Sequence, residues 1–239
     1  MNSYAFCEMV DKVFLEANEA LIAENYKDAI VKYESILSNG YESTELYYNL
    51  GNAYYRDKSI GKSIWAYSSA LEISPRNSDI IHNLSIANTR IVDRIEMPES
   101  FIFITIYRFL KSIMTINEWI LLGSFLIFIK SIHFSGMKFG LYQGKMYKMI
   151  STVLISLIMI VHIFAMDSYI DKQRKNTAVV ISNNVNAYSG PFYGNNSLLF
   201  QINEGIKVNI SNQQKDWAEI ILIDGKKGWV SLESIWLIK

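Results

Sequence analysis

The segment KMISTVLISLIMIVHIFAMDSY (Lys148 to Tyr169) has no charged side chain in the eighteen residues from Met149 to Met166. A helix of that length rises roughly 27 Å, close to the thickness of the hydrocarbon core of a bilayer. The hydroxyls of its Ser and Thr residues can bond the backbone of their own helix, so lipid tolerates them. The segment therefore predicts a transmembrane helix over residues 149–168.

A second apolar run, WILLGSFLIFIKSIHF, begins at Trp119. Its one charge, Lys130, lies towards the end of the run, where an ammonium can reach the headgroups. It predicts a first transmembrane helix over residues 119–136, and the alternative is an interfacial or core helix. Residues 137–148 then carry three lysines and no acid. Short basic loops lie on the cytoplasmic side, which predicts that both flanking segments lie outside the cytoplasm.

Composition excludes several classes of function. Residues 1–118 carry 11 basic and 16 acidic groups, whereas a nucleic-acid-binding face needs concentrated positive charge. The chain has one cysteine and three histidines, and these lie in different segments, so we predict no metal site. No histidine lies in residues 172–239 and no Gly-rich phosphate loop follows a strand, so we predict no enzyme and no cofactor.

The N-terminus, MNSYAFCEMV, has neither a basic start nor an apolar core of a signal peptide. Ser3-Tyr4-Ala5 nevertheless matches the small-x-small pattern that precedes a signal-peptidase cut. One hypothesis is that this sequence begins inside the tail of a signal peptide. The alternative is a chance match of three residues.

Residues 1–97 contain an internal repeat with a period of about 34 residues, which is the period of tetratricopeptide units. At that shift Ala17 aligns with Gly51, Ala29 with Ser63, and Tyr33 with Tyr67. Small residues allow two antiparallel helices to cross closely, and aromatic residues fill the space between them. After the two helices of each copy, one further helix is predicted over residues 79–95 as a cap for the stack. Residues 98–118 predict an interfacial connecting helix, or a helix packed beneath the repeat.

The second copy, residues 44–77, resembles the tetratricopeptide (TPR) consensus, with Ser63 and Lys58-Ser59 as departures from it. The resemblance implies a groove that binds a segment of a partner protein. Its positions in this chain are Asn18, Tyr48, Asn52, Tyr55, Arg56, His82 and Arg90. The alternative for each is an ordinary solvated side chain.

Residues 172–239 change to the period of strands, with six runs rich in β-branched or aromatic residues and separated by Asn-, Gly- and Ser-rich turns. Six short strands predict a small barrel. Glu204-Gly205 and Gly228-Trp229-Val230 resemble recurring marks of bacterial SH3 domains. An aromatic groove would then comprise Tyr188, Phe192, Tyr193, Trp217 and Trp229, although a place in the barrel core is the favoured alternative for the two tryptophans.

The predicted fold class is multidomain α plus β: TPR hairpins, a transmembrane helical hairpin and a small SH3-like β-barrel. That order resembles the BatE family of bacterial aerotolerance (Bat) operons. The resemblance implies a non-enzymatic scaffold in an envelope complex of the bacterial inner membrane, with a protein partner in the TPR groove and the SH3 domain facing the periplasm. The alternative function is a cell-wall sensor or anchor whose SH3 domain binds peptidoglycan peptide.

Overall fold

The computed structural model describes residues 3–95, 101–141, 144–174, 176–193 and 197–238. The chain divides into two compact units. One combines residues 1–98 with residues 176–239, so the two ends of the chain belong to the same unit. The other comprises residues 99–175. Each unit is described by itself below.

The first unit begins with antiparallel helices that pack in sequence order, joined by short turns. They are α1 (Ser3–Ile22), α2 (Tyr26–Ser38), α3 (Thr44–Arg56), α4 (Ile60–Ile73) and α5 (Ser78–Asn88). The predicted cleavage pattern, Ser3-Tyr4-Ala5, lies in the first turn of α1, and the two residues before it lie outside the described part of the chain. Helical repeats are therefore present where the period of the sequence predicts them.

Small residues lie where the helices of each repeat cross. Ala17, Ala29 and Ser63 are fully buried, and a Cβ added at Gly51 would lie 2.6 Å from the ring of Tyr67. The hydroxyl of Ser63 donates to the carbonyl oxygen of Gly51 over 2.9 Å, so this polar departure from the repeat pattern is satisfied inside the core.

The fifth helix is shorter than predicted. The side chain of Asn77 accepts from the first backbone amides of α5, and the helix ends at Asn88 rather than continuing to residue 95. Beyond it, Ile91 and Ile95 pack against the β core, and Asp93 accepts hydrogen bonds from Asn203. These residues have the spacing of a helix, but their contacts with the sheet keep them out of helical conformation.

The rest of the first unit is a seven-stranded sheet in which every pair is antiparallel. Its order is β3-β2-β6-β5-β4-β1-β7, and among the described residues the edge strands β3 and β7 do not pair. The sheet is therefore open, whereas the sequence predicts a closed barrel. The strands are β1 (Thr177–Val180), β2 (Val185–Tyr188), β3 (Leu198–Ile202), β4 (Lys207–Gln214), β5 (Trp217–Ile221), β6 (Lys227–Ser231) and β7 (Ile235–Leu237). The six strands that the sequence predicts correspond to β1 and to β3 through β7. The prediction was wrong in omitting β2, because VNAY is too short for its alternation to stand out.

Alternate residues of the strands form the core of the sheet. Ala218 and Ile220 of β5 are buried while Trp217 and Glu219, on the opposite face, are only half-buried. The same alternation places Val230 inside and Trp229 outside on β6. Trp217 and Trp229 are therefore not core residues, which removes the alternative that sequence left open.

The helices and the sheet share a packed boundary at α4. The ring of Trp65 meets that of Trp236 edge-on at 4.7 Å, and its Nε1 donates to the carbonyl oxygen of Leu237 over 2.7 Å. Val179 of β1 belongs to the helical core rather than to the core of the sheet. The two segments form a single unit through these contacts.

Glu204 and Gly205 lie at the same boundary. One carboxylate oxygen of Glu204 accepts from the backbone N–H of Gly61, at the start of α4, over 2.7 Å. An acid at a helix N-terminus is stabilised by the helix dipole. Gly205 has a φ of +94°, and a Cβ there would lie 2.9 Å from Ile91 and 3.0 Å from Ile64. Glu204 and Gly205 therefore help to hold the sheet against the helices.

The second unit consists of α6 (Ile102–Ser112), α7 (Ile116–Lys138) and α8 (Lys145–Arg174). Both α7 and α8 are long and apolar enough to cross a membrane. They exceed the predicted spans of 119–136 and 149–168, and three lysines of the predicted basic loop belong to their ends. Residues 142 and 143 of that loop, and 96–100 before α6, lie outside the described residues.

Packing of α7 against α8 centres on Trp119, Val161 and Ala165. Gly123 lets His162 approach, since a Cβ at position 123 would lie 2.8 Å from its ring. A capping box starts α7: Thr115 accepts from the backbone of Glu118, whose carboxylate accepts from the backbone N–H of Thr115.

Candidate functional site

A groove of about 680 Å³ opens between the first helices of the repeats. Its lining comes from the end of α1, the turn between α1 and α2, the C-terminal half of α3, two residues of α5, and one residue each of α2 and α4. The lining residues are Leu21, Ile22, Glu24, Tyr26, Asn52, Tyr55, Arg56, Tyr67, Asn83 and Ile86. Apolar and polar side chains alternate around it, and Glu24 and Arg56 supply its charges.

Three of the predicted groove residues, Asn52, Tyr55 and Arg56, line this cavity. Tyr48 lies beside it, and its hydroxyl accepts from Asn83 over 3.2 Å. Asn18 does not line the cavity, but it accepts a hydrogen bond from Asn49 as Asn52 accepts one from Asn83 in the next repeat. His82 and Arg90 are exposed and do not line the cavity. Arg90 lies beyond the end of α5, because the helix stops before the predicted position.

A polar network repeats with the sequence and reaches the groove at Asn52, Tyr67 and Asn83. The Oδ1 of Asn18 accepts from the Tyr33 hydroxyl over 2.6 Å and from the Asn49 amide over 2.9 Å. One repeat later, the Oδ1 of Asn52 accepts from Tyr67 over 2.7 Å and from Asn83 over 3.0 Å. Each asparagine joins the two helices of its own repeat to the first helix of the next.

Burial fixes the protonation state of the two tyrosines in this network. It raises the pKa of Tyr33 to about 12 and that of Tyr67 to about 12, with nearby amides partly opposing the effect. An ordinary tyrosine, with a pKa near 10, is already protonated at neutral pH. The raised pKa keeps both hydroxyls protonated, and therefore donors, into the alkaline range as well. With its Oδ1 atom occupied, Asn52, which lines the groove, has its amide N–H groups left to offer a ligand.

Sequence reasoning missed Asn49 and Asn83. The signal was available, because these two asparagines occupy the same position in successive repeats. The resemblance to TPR units rests mainly on aromatic and small residues, which do not single out these asparagines. Leu21, Tyr26 and Ile86 were missed as well, and no sequence pattern distinguishes them from core residues.

A second candidate site lies on the outer face of the sheet. The rings of Tyr193 and Trp217 are 4.6 Å apart, and Tyr188 meets both edge-on at 5.7 Å. Tyr193 is 75% exposed. The predicted aromatic groove is thus partly assembled as a surface cluster of Tyr188, Tyr193 and Trp217.

The other two predicted aromatics lie nearby without ring contacts to that cluster. Trp229 stands opposite Tyr188 in the β2–β6 pair and opposite Glu219 in the β5–β6 pair. Phe192 is exposed and folds back over Gly190, where an added Cβ would meet its ring at 2.3 Å. Among the described residues no group of three or more His, Cys, Asp or Glu could hold a metal ion.

Comparison with protein-family models gives no match, and comparison with curated proteins gives none either.

Proposed function

We propose that this protein is a membrane-tethered, non-enzymatic scaffold whose helical repeat binds an extended segment of a partner protein. The groove between α1, α3 and α5 carries the proposal, because it combines exposed apolar side chains with amide donors in a repeating arrangement. Backbone carbonyls of an extended chain suit such donors. Arg56 favours an acidic side chain or a carboxylate at that end of the segment.

The helical repeat is best described as TPR-like. Support comes from hydrogen bonds that recur with the period of the sequence and from small residues at both helix crossings. The open sheet is best described as SH3-like, on the strength of its seven short antiparallel strands and its Glu-Gly and Gly-Trp-Val motifs. With these two assignments the chain is a BatE-type component of an envelope complex in the bacterial inner membrane.

The proposed topology places α7 and α8 across the membrane and both ends of the chain in the periplasm. One unit is built from residues that precede the hairpin and residues that follow it in sequence. These residues must lie on the same side of the membrane, which requires an even number of crossings. Lysines at the ends of α7 and α8 that face the connecting loop favour a cytoplasmic loop.

Photo-crosslinking from the groove tests partner binding. A photoreactive residue replaces Tyr55 in the groove and, as a matched control, Val31 on the exposed outer side of α2. We expect a protein adduct from position 55 only, and its loss when Arg56→Glu is added. Equal adducts from both positions, or none from position 55, would contradict the proposal.

The aromatic cluster on the sheet favours a second candidate function, a cell-wall sensor or anchor. Exposed stacked aromatics suit sugar rings and stem peptides. The test is sedimentation of the full chain in detergent with purified cell wall. Tyr193→Ala should release the protein if the cluster binds wall, whereas Ile223→Ala, at another exposed apolar position of the sheet domain, should not. A wild-type chain that stays in the supernatant removes this candidate.

A further inference from the structure

Helix α6 has an exposed apolar side that no described residue of its own unit covers. None of its side chains is buried. Helical spacing brings Ile102, Phe103, Ile106, Phe109 and Leu110 to one side, and Phe103 and Phe109 are 80% and 66% exposed. Arg108, Lys111 and Ser112 lie on the other side. A helix of this pattern needs an apolar environment on one side only.

The polar side of α6 is bound to the C-terminal end of α8. Lys111 Nζ lies 2.6 Å from an Asp167 carboxylate oxygen and 2.5 Å from one of Asp171. The hydroxyl of Tyr107 donates to the same oxygen of Asp167 over 2.7 Å. The ring of Tyr107 also packs against Phe164 at 5.4 Å.

The same end of the hairpin includes the start of α7. Nε1 of Trp119 donates to the carbonyl oxygen of Lys111 over 3.2 Å, and its ring lies 5.0 Å from that of Phe164. Tryptophan and tyrosine concentrate where membrane-spanning helices meet the headgroups. The contacts of α6 therefore place it beside the end of α7 and α8 that carries these aromatics.

We propose that α6 lies in the plane of the membrane, with its apolar side among the acyl chains of the leaflet at this end of the hairpin. Lys111, Asp167, Asp171 and Tyr107 form a clamp that holds it there. Lipid is the occupant because α6 contacts two helices of membrane length and its apolar side is opposite the side that carries Lys111 and its ion pairs. Lys111 also neutralises Asp167, an acid at the edge of the predicted span.

The inference rests on the proposed membrane location of α7 and α8, so the test includes a separate reference for that location. Spin labels are placed at Phe109, at Leu121 on the exposed side of α7, and at Lys226 in a surface turn of the sheet domain. Each is the only cysteine in a full chain carrying Cys7→Ser. The chain is reconstituted in vesicles of phosphatidylethanolamine and phosphatidylglycerol.

Collision rates with oxygen and with a water-soluble nickel chelate are then compared. We expect position 109 to match position 121, with high oxygen and low nickel accessibility. High nickel accessibility at position 109, with low nickel accessibility at position 121, would overturn the membrane location of α6 and leave that of α7 and α8 intact. High nickel accessibility at both positions would overturn the membrane location of α7 and α8 itself. Low accessibility to both reagents at position 109 would mean a protein partner or a second copy, and would overturn lipid as the occupant.

Charge exchange tests the clamp. Lys111→Asp should raise the nickel accessibility of a label at position 109, because three acids then repel one another. Adding Asp167→Lys restores an opposite-charge contact and should return the label to its lipid-exposed signature. A label that responds to neither change would overturn the clamp.

Discussion

Lys58 adopts a left-handed backbone conformation, with a φ of +67°, and Glu24 adopts one at the same position of the preceding repeat, with a φ of +60°. Both close the turn between the two helices of a repeat. A left-handed conformation costs a residue with a Cβ roughly 1–2 kcal/mol, and glycine avoids most of that cost. We expect Lys58→Gly to raise the free energy of unfolding by up to about 1 kcal/mol, after the extra chain entropy of glycine is subtracted.

Denaturant unfolding of the full chain in detergent measures this change. Lys58→Ala is the matched control, since it removes the same side chain and retains the Cβ. A gain with alanine equal to that with glycine would show that the charge, and not the backbone, is responsible.

Gly51 links the packing of the helices to the groove, because it contacts the ring of Tyr67. A Cβ there would lie 2.6 Å from the fully enclosed ring of Tyr67, whose hydroxyl bonds Asn52 in the groove. We expect Gly51→Ala to lower the free energy of unfolding by about 1–3 kcal/mol and to weaken crosslinking from position 55. Ala53→Gly in the same helix is the control for crosslinking. It should lower the free energy of unfolding by about 1 kcal/mol or more, because glycine has a lower helix propensity than alanine, and it should leave Tyr67 in place.

Tyr33 and Tyr67 also predict an alkaline limit to stability. Their pKa values rise from an ordinary value near 10 to about 12 on folding, because burial disfavours the phenolate. A raised pKa means that the folded state holds the proton more tightly, so the stabilisation is complete below pH 10 and is lost as pH rises towards 12. Each tyrosine contributes on the order of 2–3 kcal/mol to that loss.

Tyrosinate absorbance during alkaline titration follows the effect. We expect these two residues to ionise together with unfolding of the repeat, and Tyr67→Phe to reduce the steepness of the pH dependence. The assignment would be contradicted if Tyr33→Phe or Tyr67→Phe removed a tyrosinate signal that appears near pH 10 while the chain is still folded, since the chain has fifteen tyrosines and only such a difference identifies these two.

At the scale of elements, sequence predicted what depends on local periodicity. The repeat period located four of the five repeat helices, and apolar runs located α7 and α8. What it could not predict depends on partners far away in the chain: Glu204 and Gly61 are 143 residues apart, and Trp65 and Leu237 are 172 apart. Glu204-Gly205 was read as a family mark, whereas the structure uses it to dock the sheet onto α4.

That docking yields a test at the scale of elements. Glu204→Gln retains the side-chain size but removes the charge at the start of α4, and should cost about 0.3–1 kcal/mol. Gly61→Ala should cost more, roughly 1–3 kcal/mol, because the new Cβ would lie 2.6 Å from the backbone oxygen of Val180. Equilibrium unfolding of the full chain ranks the two variants. A neutral Gly61→Ala would show that the helices and the sheet do not pack as described.

At the scale of the whole molecule, the shared unit makes topology the measurement with the greatest consequence. Single cysteines at Lys12 in α1, Phe139 in the hairpin loop and Lys227 in β6 are labelled in intact cells with a membrane-impermeant reagent, in a Cys7→Ser chain. All three positions are exposed, and the first and last belong to the same unit. We expect labelling at positions 12 and 227 but not at 139.

The reverse pattern would place both ends of the chain in the cytoplasm. It would remove the cell wall as a ligand while leaving a cytoplasmic scaffold with the same groove. Labelling of only one of positions 12 and 227 would contradict the docking of the sheet on α4, since residues on opposite sides of a membrane cannot share a core. A single experiment therefore tests whether the chain crosses the membrane an even number of times. It also tests whether the helices and the sheet can pack together, as Trp65 packs against Trp236.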